Sequence, residues 1–430
     1  MSIDRRHFLK TTGLATLGYG LSTALPFSTI RAAEIFTTQT RARADTILVA
    51  VNLIGGNDGL DTIIPCTGKE YDLYKKLRPI LKKDKDRLQP FKIPSVSYAF
   101  NPAMAKLHKL YTRTNKPLAI IAGVGVPKNS ASKFDHAAAM YDFASSDPLH
   151  QDHLEKPTGF LGRVLDRLPA GRVPIAVDFG GGSLMLQGTD FNRRPLSISS
   201  IDNFQMYFGN DDEKMAYRDI MSYKRKSGSA EEINRLVRKD ALASSSYIRK
   251  ATKKYPTQQG LYPKPEDNWL AAQLNDVAKM IWARLGIRAF SAGLGGFDTH
   301  SLQDQDGYHD KLLNQFSEAV YAFYTDIRRM GLGKKVVTMV YSEFGRRPEE
   351  NSDRGTDHGY GGVMFVLGDS VKGGFYGRYP SLQANKLILD GNLPAPVDYR
   401  RVYATLIANH FDVDPKPIVN FTANQGIDFM

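Results

Sequence analysis

Short apolar runs bounded by glycine recur along the chain. They are Thr46–Ile54 (TILVAVNLI), Pro117–Gly123 (PLAIIAG), Val173–Val177, Ile287–Leu294 (IRAFSAGL), Lys335–Ser342 (KVVTMVYS) and Val363–Leu367 (VMFVL). Continuous rather than alternating apolar character predicts strands buried on both faces, as in a parallel sheet. Helical periodicity lies between them, over Pro102–Tyr111, Phe134–Ser145, Phe160–Leu168, Trp269–Leu285, Gln305–Met330 and Tyr399–Phe411. Alternating strand and helix predicts an α/β fold, a mostly parallel sheet with helices on both faces. From about Asn203 to Thr257 the pattern changes to polar, charged and helical, with no strand pattern. This stretch reads as a helical insertion, and YPTQQGLYPKPED from Tyr255 as the loop returning to the main domain.

Three of the predicted strands run into the same kind of ending. The first meets GGNDG, which puts Asn57 and Asp58 just past it. Another meets GGFDTH, with Asp298 and His300, and a third meets EFGR, with Glu343 and Arg346. Carboxyl ends of parallel strands share one edge, where ligands bind. GTDHG, with Asp357 and His358, lies in the loop that must pass the same edge. Taken singly, a GGNDG turn or a DTH triplet is an ordinary loop. Taken together, acidic groups on one edge repel each other unless a cation joins them. Carboxylates with imidazoles and no thiolate suit one or two divalent ions, Zn²⁺, Mn²⁺ or Mg²⁺. Two neighbouring ions could hold a phosphoryl or sulfuryl group and activate a nucleophile.

Ser130 and Ser132 precede the helix near Phe134 and are the candidate nucleophiles. Unpaired N–H groups at a helix start favour an anion, and a plain N-cap serine is the competing reading. His136 and His153 are further histidines able to join the site. Arg346 is the candidate for bidentate contact with an anionic substrate. GGG at Gly180–Gly182 opens no phosphate-loop pattern.

Composition narrows the classes. Of 430 residues, 57 are basic and 45 acidic, a net charge of +12. The 42% hydrophobic and 24% charged fractions match a soluble globular protein and exclude a rod, a disordered tail or a polytopic membrane protein. The positive charge is dispersed. Its densest run, KKLRPILKKDKDR from Lys75, reads as a solvated face, and no nucleic-acid-binding stripe is present. The single cysteine, Cys66, excludes an internal disulfide and any multi-cysteine metal site. The opening MSIDRRHFLK, a weakly apolar stretch and small residues near Ala32 and Ala33 form a bacterial export signal of the twin-arginine type over residues 1–33. It places the protein in the periplasm or cell envelope, delivered by the twin-arginine machinery. Membrane association arises only if the signal stays uncleaved.

The motif order is GGNDGLDTIIP, VGVPKNSASKFD, GFLGR, GGFDTH, SEFGRRPEEN, GTDHGYGGVMFVLG and VKGGFYGRYP. Over nearly the whole chain this resembles the exported bacterial family called domain of unknown function 1501, itself similar to the alkaline-phosphatase and sulfatase superfamily. The resemblance implies an alkaline-phosphatase-like three-layer α/β sandwich, spanning residues 45–430, with one or two metals at the strand ends. Asp58 would match the first-strand ligand, Asp298 and His300 the middle pair, and His358 the late histidine. Glu343 and Phe344 stand where active phosphatases have aspartate and histidine, and Lys133 where family members commonly have histidine. The expected function is an exported metal-dependent hydrolase of a phosphate or sulfate ester, its substrate a small molecule or glycan. Asp58, Asp298, His300, Glu343, Asp357 and His358 form the expected metal shell. The alternative is a catalytically degenerate envelope protein of the same fold that binds a glycan, lipid headgroup or protein partner.

Overall fold

The computed structural model describes residues 45–94, 96–126, 134–147, 157–168, 175–180, 184–189, 195–205, 208–223, 244–256 and 258–430. The expected export signal, Ser130, Ser132 and Lys133, His153 and Gly181–Gly182 lie outside these residues. In chain order the main elements are β1 (Ile47–Leu53), α1 (Gly59–Thr62), β2 (Ile63–Pro65), α2 (Gly68–Leu77), β3 (Tyr98–Phe100), α3 (Ala105–Tyr111), β4 (Leu118–Gly125), α4 (His136–Ser145), α5 (Phe160–Asp166), β5 (Ala176–Asp178) and β6 (Leu196–Ser197). They continue with α6 (Asp211–Ser222), α7 (Trp269–Trp282), β7 (Ala289–Leu294), α8 (Tyr308–Arg329), β8 (Val336–Tyr341), β9 (Gly362–Leu367), β10 (Gly374–Gly377), β11 (Val397–Asp398) and α9 (Tyr399–Thr405).

Nine strands form the main sheet in the order β10-β4-β9-β8-β1-β7-β5-β6, with β11 also on β4. β1 sits near the middle, parallel to both β7 and β8. The exception to parallel pairing is β9, antiparallel to both β4 and β8. The reason is connectivity. The chain from β8 to β9 contains no helix to cross a face of the sheet, so β9 can return beside β8 only in the opposite direction. This brings the start of β9 to the same edge as the ends of β1, β4, β7 and β8.

Period-two alternation in β1 feeds two cores. Val49, Val51 and Leu53 pack on one face with Tyr74 of α2, Leu107 of α3, Leu274 of α7 and Phe316 of α8. Leu48 and Ala50 pack on the other with Phe143 of α4, Phe160 of α5 and Tyr403 of α9. The result is the expected three-layer α/β sandwich. Along α8, Leu312, Phe316, Val320, Phe323 and Ile327 recur at three- and four-residue steps and are buried. Each contributes roughly 1.5–3 kcal/mol relative to exposure. Asn268 caps α7 by accepting the Ala271 N–H at 3.0 Å, and Asp135 caps α4 by accepting the Ala138 N–H at 2.8 Å.

Expected and observed elements differ at their ends. The expected helix through Phe411 gives way after Thr405 to a π-helical turn, Leu406–His410. Within it His410 Nε2 donates to Ile47 O at 3.0 Å, which ties the turn to β1. Burial pushes the His410 imidazole down to about 4. In the stretch read as an insertion, the described residues include α6 and a helical segment over 244–252. Tyr255 follows that segment and donates from its hydroxyl to Asp326 of α8. Among the described residues no helix is long and apolar enough to cross a membrane.

Candidate metal centre at the strand ends

Glycines let the loops beyond β1, β7 and β8 touch. Gly55 and Gly56 follow β1 with φ of +121° and +77°. A Cβ on Gly55 would lie 2.4 Å from the Asp298 nitrogen, and one on Gly56 would lie 2.2 Å from the Phe344 ring. Only glycine tolerates both the conformation and the approach. Arg346 staples these loops together. Its Nε donates to Gly56 O at 2.8 Å and its Nη1 to Thr356 O at 2.8 Å. Its Nη2 reaches Gly55 O, Phe297 O at 3.1 Å and Asp298 Oδ1 at 2.6 Å. Arg346 is fully buried, and all three guanidinium nitrogens are engaged by the protein. Its geometry is that of a clamp, in contrast to the substrate contact expected from the sequence.

Around Asp298 three imidazoles converge. The Nε2 atoms of His300, His358 and His136 stand 3.2, 3.3 and 3.4 Å from Asp298 Oδ1. His300 Nε2 and His358 Nε2 are 2.8 Å apart. The opposite nitrogens face acceptors. His358 Nδ1 donates to Phe134 O at 2.7 Å. His136 Nδ1 lies 2.8 Å from Glu343 Oε1, and His300 Nδ1 lies 3.4 Å from Asp357 Oδ1. A proton held on Nδ1 leaves the Nε2 lone pair aimed inwards, the arrangement in which histidines bind metals. Phe344 packs against the His136 and His358 rings, with centroids 4.7 and 4.6 Å away, and limits their rotation.

Electrostatics agree with a candidate cation site. Burial works to raise the Asp298 carboxyl, but the Arg346 hydrogen bond and charge outweigh it and bring it down to about 2. The Asn351 hydrogen bond chiefly holds the Asp357 carboxyl below its ordinary range, with His300 adding to it. Burial, with Arg346 and His136 nearby, lowers the His358 imidazole and favours its neutral, ligating form. His136 Nε2 is buried with no hydrogen-bond partner, an orphan donor atom that a cation would satisfy. His136, Asp298 and His358 together form a group able to hold a metal ion. His300, nearly half exposed, is a fourth donor beside them. Three imidazoles and a carboxylate suit a borderline ion such as Zn²⁺ and suit oxygen-seeking Mg²⁺ poorly.

The structure thus brings Asp298, His300 and His358 together, with Asp357 behind His300. Glu343 stands one layer back. Its Oε1 also accepts the Gly55 N–H at 2.8 Å, so it orients His136. His136, left out of the expected shell, is the addition. The pointer to it was a histidine opening the helix that follows β4. Asp58 is elsewhere. It caps α1 through the Leu60 and Asp61 N–H groups and is bound by Arg78 at 2.5 and 3.0 Å and by Gln303 at 2.6 Å. Burial works to raise the Asp58 carboxyl, but Arg78 outweighs it and holds it at about 2. With both oxygens occupied, Asp58 has no position left for a metal. The basic run read as a solvated face also needs correction. Arg78 is fully buried, and Lys83 is buried against Asp304 and Asp310 at 3.1 and 3.0 Å. Glu350 accepts the N–H groups of Ile80 and Leu81.

The fold and this cluster define an α/β protein with a candidate His/Asp metal centre at the carboxyl edge of its sheet. The chain belongs to the family described as Protein of unknown function (DUF1501), whose model matches residues 122–420. That match begins inside β4, so β1 and the Asp58 turn lie outside it and the likeness covers less of the chain than the motif order implied. No curated protein matches the chain. Among solved structures it is similar to Ps i-CgsB in complex with k-i-k-neocarrahexaose, with 9% identity, 90% of this chain and 74% of that one covered, and a TM-score of 0.34. It is also similar to the C-terminal periplasmic domain of EcEptC from Escherichia coli in complex with Zn, with 9% identity, 75% and 72% covered, and a TM-score of 0.29. A third is the lipoteichoic acid synthase LtaP from Listeria monocytogenes, with 10% identity, 81% and 72% covered, and a TM-score of 0.27. Likenesses this distant assign no activity to this chain.

Proposed function

We propose that the chain is an exported metal-dependent hydrolase acting on a phosphate or sulfate ester, of a small molecule or a glycan, in the periplasm or cell envelope. One observation carries the metal part of this reading: three histidine Nε2 atoms converge on Asp298 Oδ1 while their Nδ1 atoms face acceptors. His136, Asp298 and His358 would hold the ion, with His300 as the fourth donor. A bound divalent ion supplies Lewis acidity and activates a water or hydroxyl nucleophile at neutral pH. The chain's own residues would prepare the site. Arg346 holds Asp298 ionised and in place, Glu343 and Phe134 O turn two imidazoles inward, and Phe344 fixes their planes. Ser130 and Ser132 remain the candidate nucleophiles, and twin-arginine export the proposed route.

The test is the metal content of the full chain purified from the periplasm, measured by elemental mass spectrometry beside Asp298→Ala and His358→Ala. Near-stoichiometric zinc or manganese, absent from both variants, followed by turnover in a panel of phosphate and sulfate esters, is the expected result. Unchanged metal content in both variants overturns the site assignment.

A second reading, an envelope protein that binds its ligand without turnover, is favoured by the full engagement of Arg346. A hydrolase of anionic esters gains from a free guanidinium, and this one is spent on loop carbonyls. Stoichiometric ligand binding with no turnover across several metals would select it.

A further inference from the structure

Besides Arg346, the loops that carry Asp298, His300 and His358 share a second buried anchor, Gln303. Its backbone N–H donates to Arg354 O at 2.9 Å. Its Oε1 accepts from Thr299 Oγ1 at 2.9 Å and from Thr356 Oγ1 at 2.7 Å. Its Nε2 donates to Asp58 Oδ2 at 2.6 Å. Thr299 sits between Asp298 and His300, and Thr356 immediately precedes Asp357 and His358. The two threonine segments also meet directly, the Thr356 N–H donating to Thr299 O at 3.0 Å. Asp58 is itself fixed by Arg78, which donates to Pro348 O at 2.9 Å and to Arg347 O at 3.0 Å.

We infer that Arg78, Asp58 and Gln303 form a positioning relay that sets the spacing of Asp298 and His300 against His358, and so the affinity of the centre for a divalent cation. This rests on the metal reading above. An amide is the group the position requires. It accepts two hydroxyl protons on one side and donates to a carboxylate on the other. A glutamate there could not donate to the ionised Asp58, and an apolar residue would leave the Thr299 and Thr356 hydroxyls without a partner and take one donor from Asp58 Oδ2. Gln303 acts through the loops and is a positioning residue, not a ligand. Metal sites respond to such outer partners by factors of about 10–100 in affinity.

The experiment compares the full-length chain with Gln303→Leu, Thr356→Val and the double variant. Two quantities are read: the zinc dissociation constant, by chelator competition, and amide exchange in the metal-free proteins. Gln303→Leu is expected to weaken zinc about tenfold. It should also speed exchange at the Gln303 and Thr356 amides while β8 stays protected. Thr356→Val should weaken zinc less, and the double variant should be no weaker than Gln303→Leu alone, because both changes cut the same link. Zinc affinity within about twofold of wild type in both single variants, or additive losses in the double, overturns the relay. Should Gln303→Leu fail to fold, Thr356→Val carries the test. If the wild-type chain takes up neither zinc nor manganese, the metal reading falls, and the exchange data alone decide whether Gln303 holds the two loops.

Discussion

Two collections of aspartate and histidine sit at the end of this sheet, and they have been treated in opposite ways. In one, Asp58 and Asp61 are matched by Arg78 and Lys83 and sealed in, with His309 Nδ1 on Asp61 at 2.8 Å. In the other, Asp298 is about half exposed and meets one internal cation, Arg346, while three imidazoles crowd the same oxygen. The first collection carries its own positive charges. The second turns three imidazole nitrogens towards one carboxylate oxygen. The difference teaches that acidic residues at strand ends do not identify a metal site; the decisive feature is whether the chain's own cation takes both carboxylate oxygens, as Arg78 does for Asp58.

Breaking the sealed half should give the largest effect. Arg78→Ala leaves Asp58 buried and unpaired, and unfolding free energy by urea titration should fall by about 3–5 kcal/mol. A loss under about 1 kcal/mol would mean that this network does not hold the fold as described.

Acid should separate the two aspartates next. Both are held at about 2, below the ordinary 3.8. A folded-state value below the unfolded one gives stability that is present above about pH 4 and lost as pH falls towards 2. For buried Asp58 this amounts to about 2 kcal/mol. For half-exposed Asp298, solvent screening leaves little of it. Asp58→Asn should therefore flatten the fall in stability between pH 5 and pH 2.5, while Asp298→Asn leaves its slope nearly intact. Equal flattening in both would erase the distinction.

The smallest effect sharpens the open half. Glu343→Gln keeps an acceptor for Gly55 but weakens the hold on His136 Nδ1. Zinc affinity should drop roughly tenfold, about 1.4 kcal/mol, with thermal stability of the metal-free chain nearly unchanged. An unchanged zinc dissociation constant would remove His136 from the centre.

The layout of the sheet and the presence of Asp298, His300 and His358 at one edge were legible because both follow from short-range pattern. Apolar runs mark strands, and parallel strands end together. The fate of Asp58 was not legible. Its partner Arg78 lies within a basic run whose composition looks solvated, and only tertiary packing buries it. Arg346 misled for the same reason, since an arginine beside a site resembles a ligand clamp until its carbonyl partners are located. His136 was legible only as a histidine able to join the site, because nothing in a helix-opening DHAAA segment states that Glu343, far along the chain, will turn its ring.

The hydrogen bond from Gly55 to Glu343 spans 288 positions, and the central strand β1 pairs with β7 and β8, both made in the last third of the chain. At ordinary rates of protein synthesis, about 5–20 residues per second, β1 leaves the ribosome tens of seconds before either neighbour exists. Its apolar faces must be shielded for that interval. The histidine centre cannot close until His358 has been made, so any ion it holds is loaded late in translation or after it.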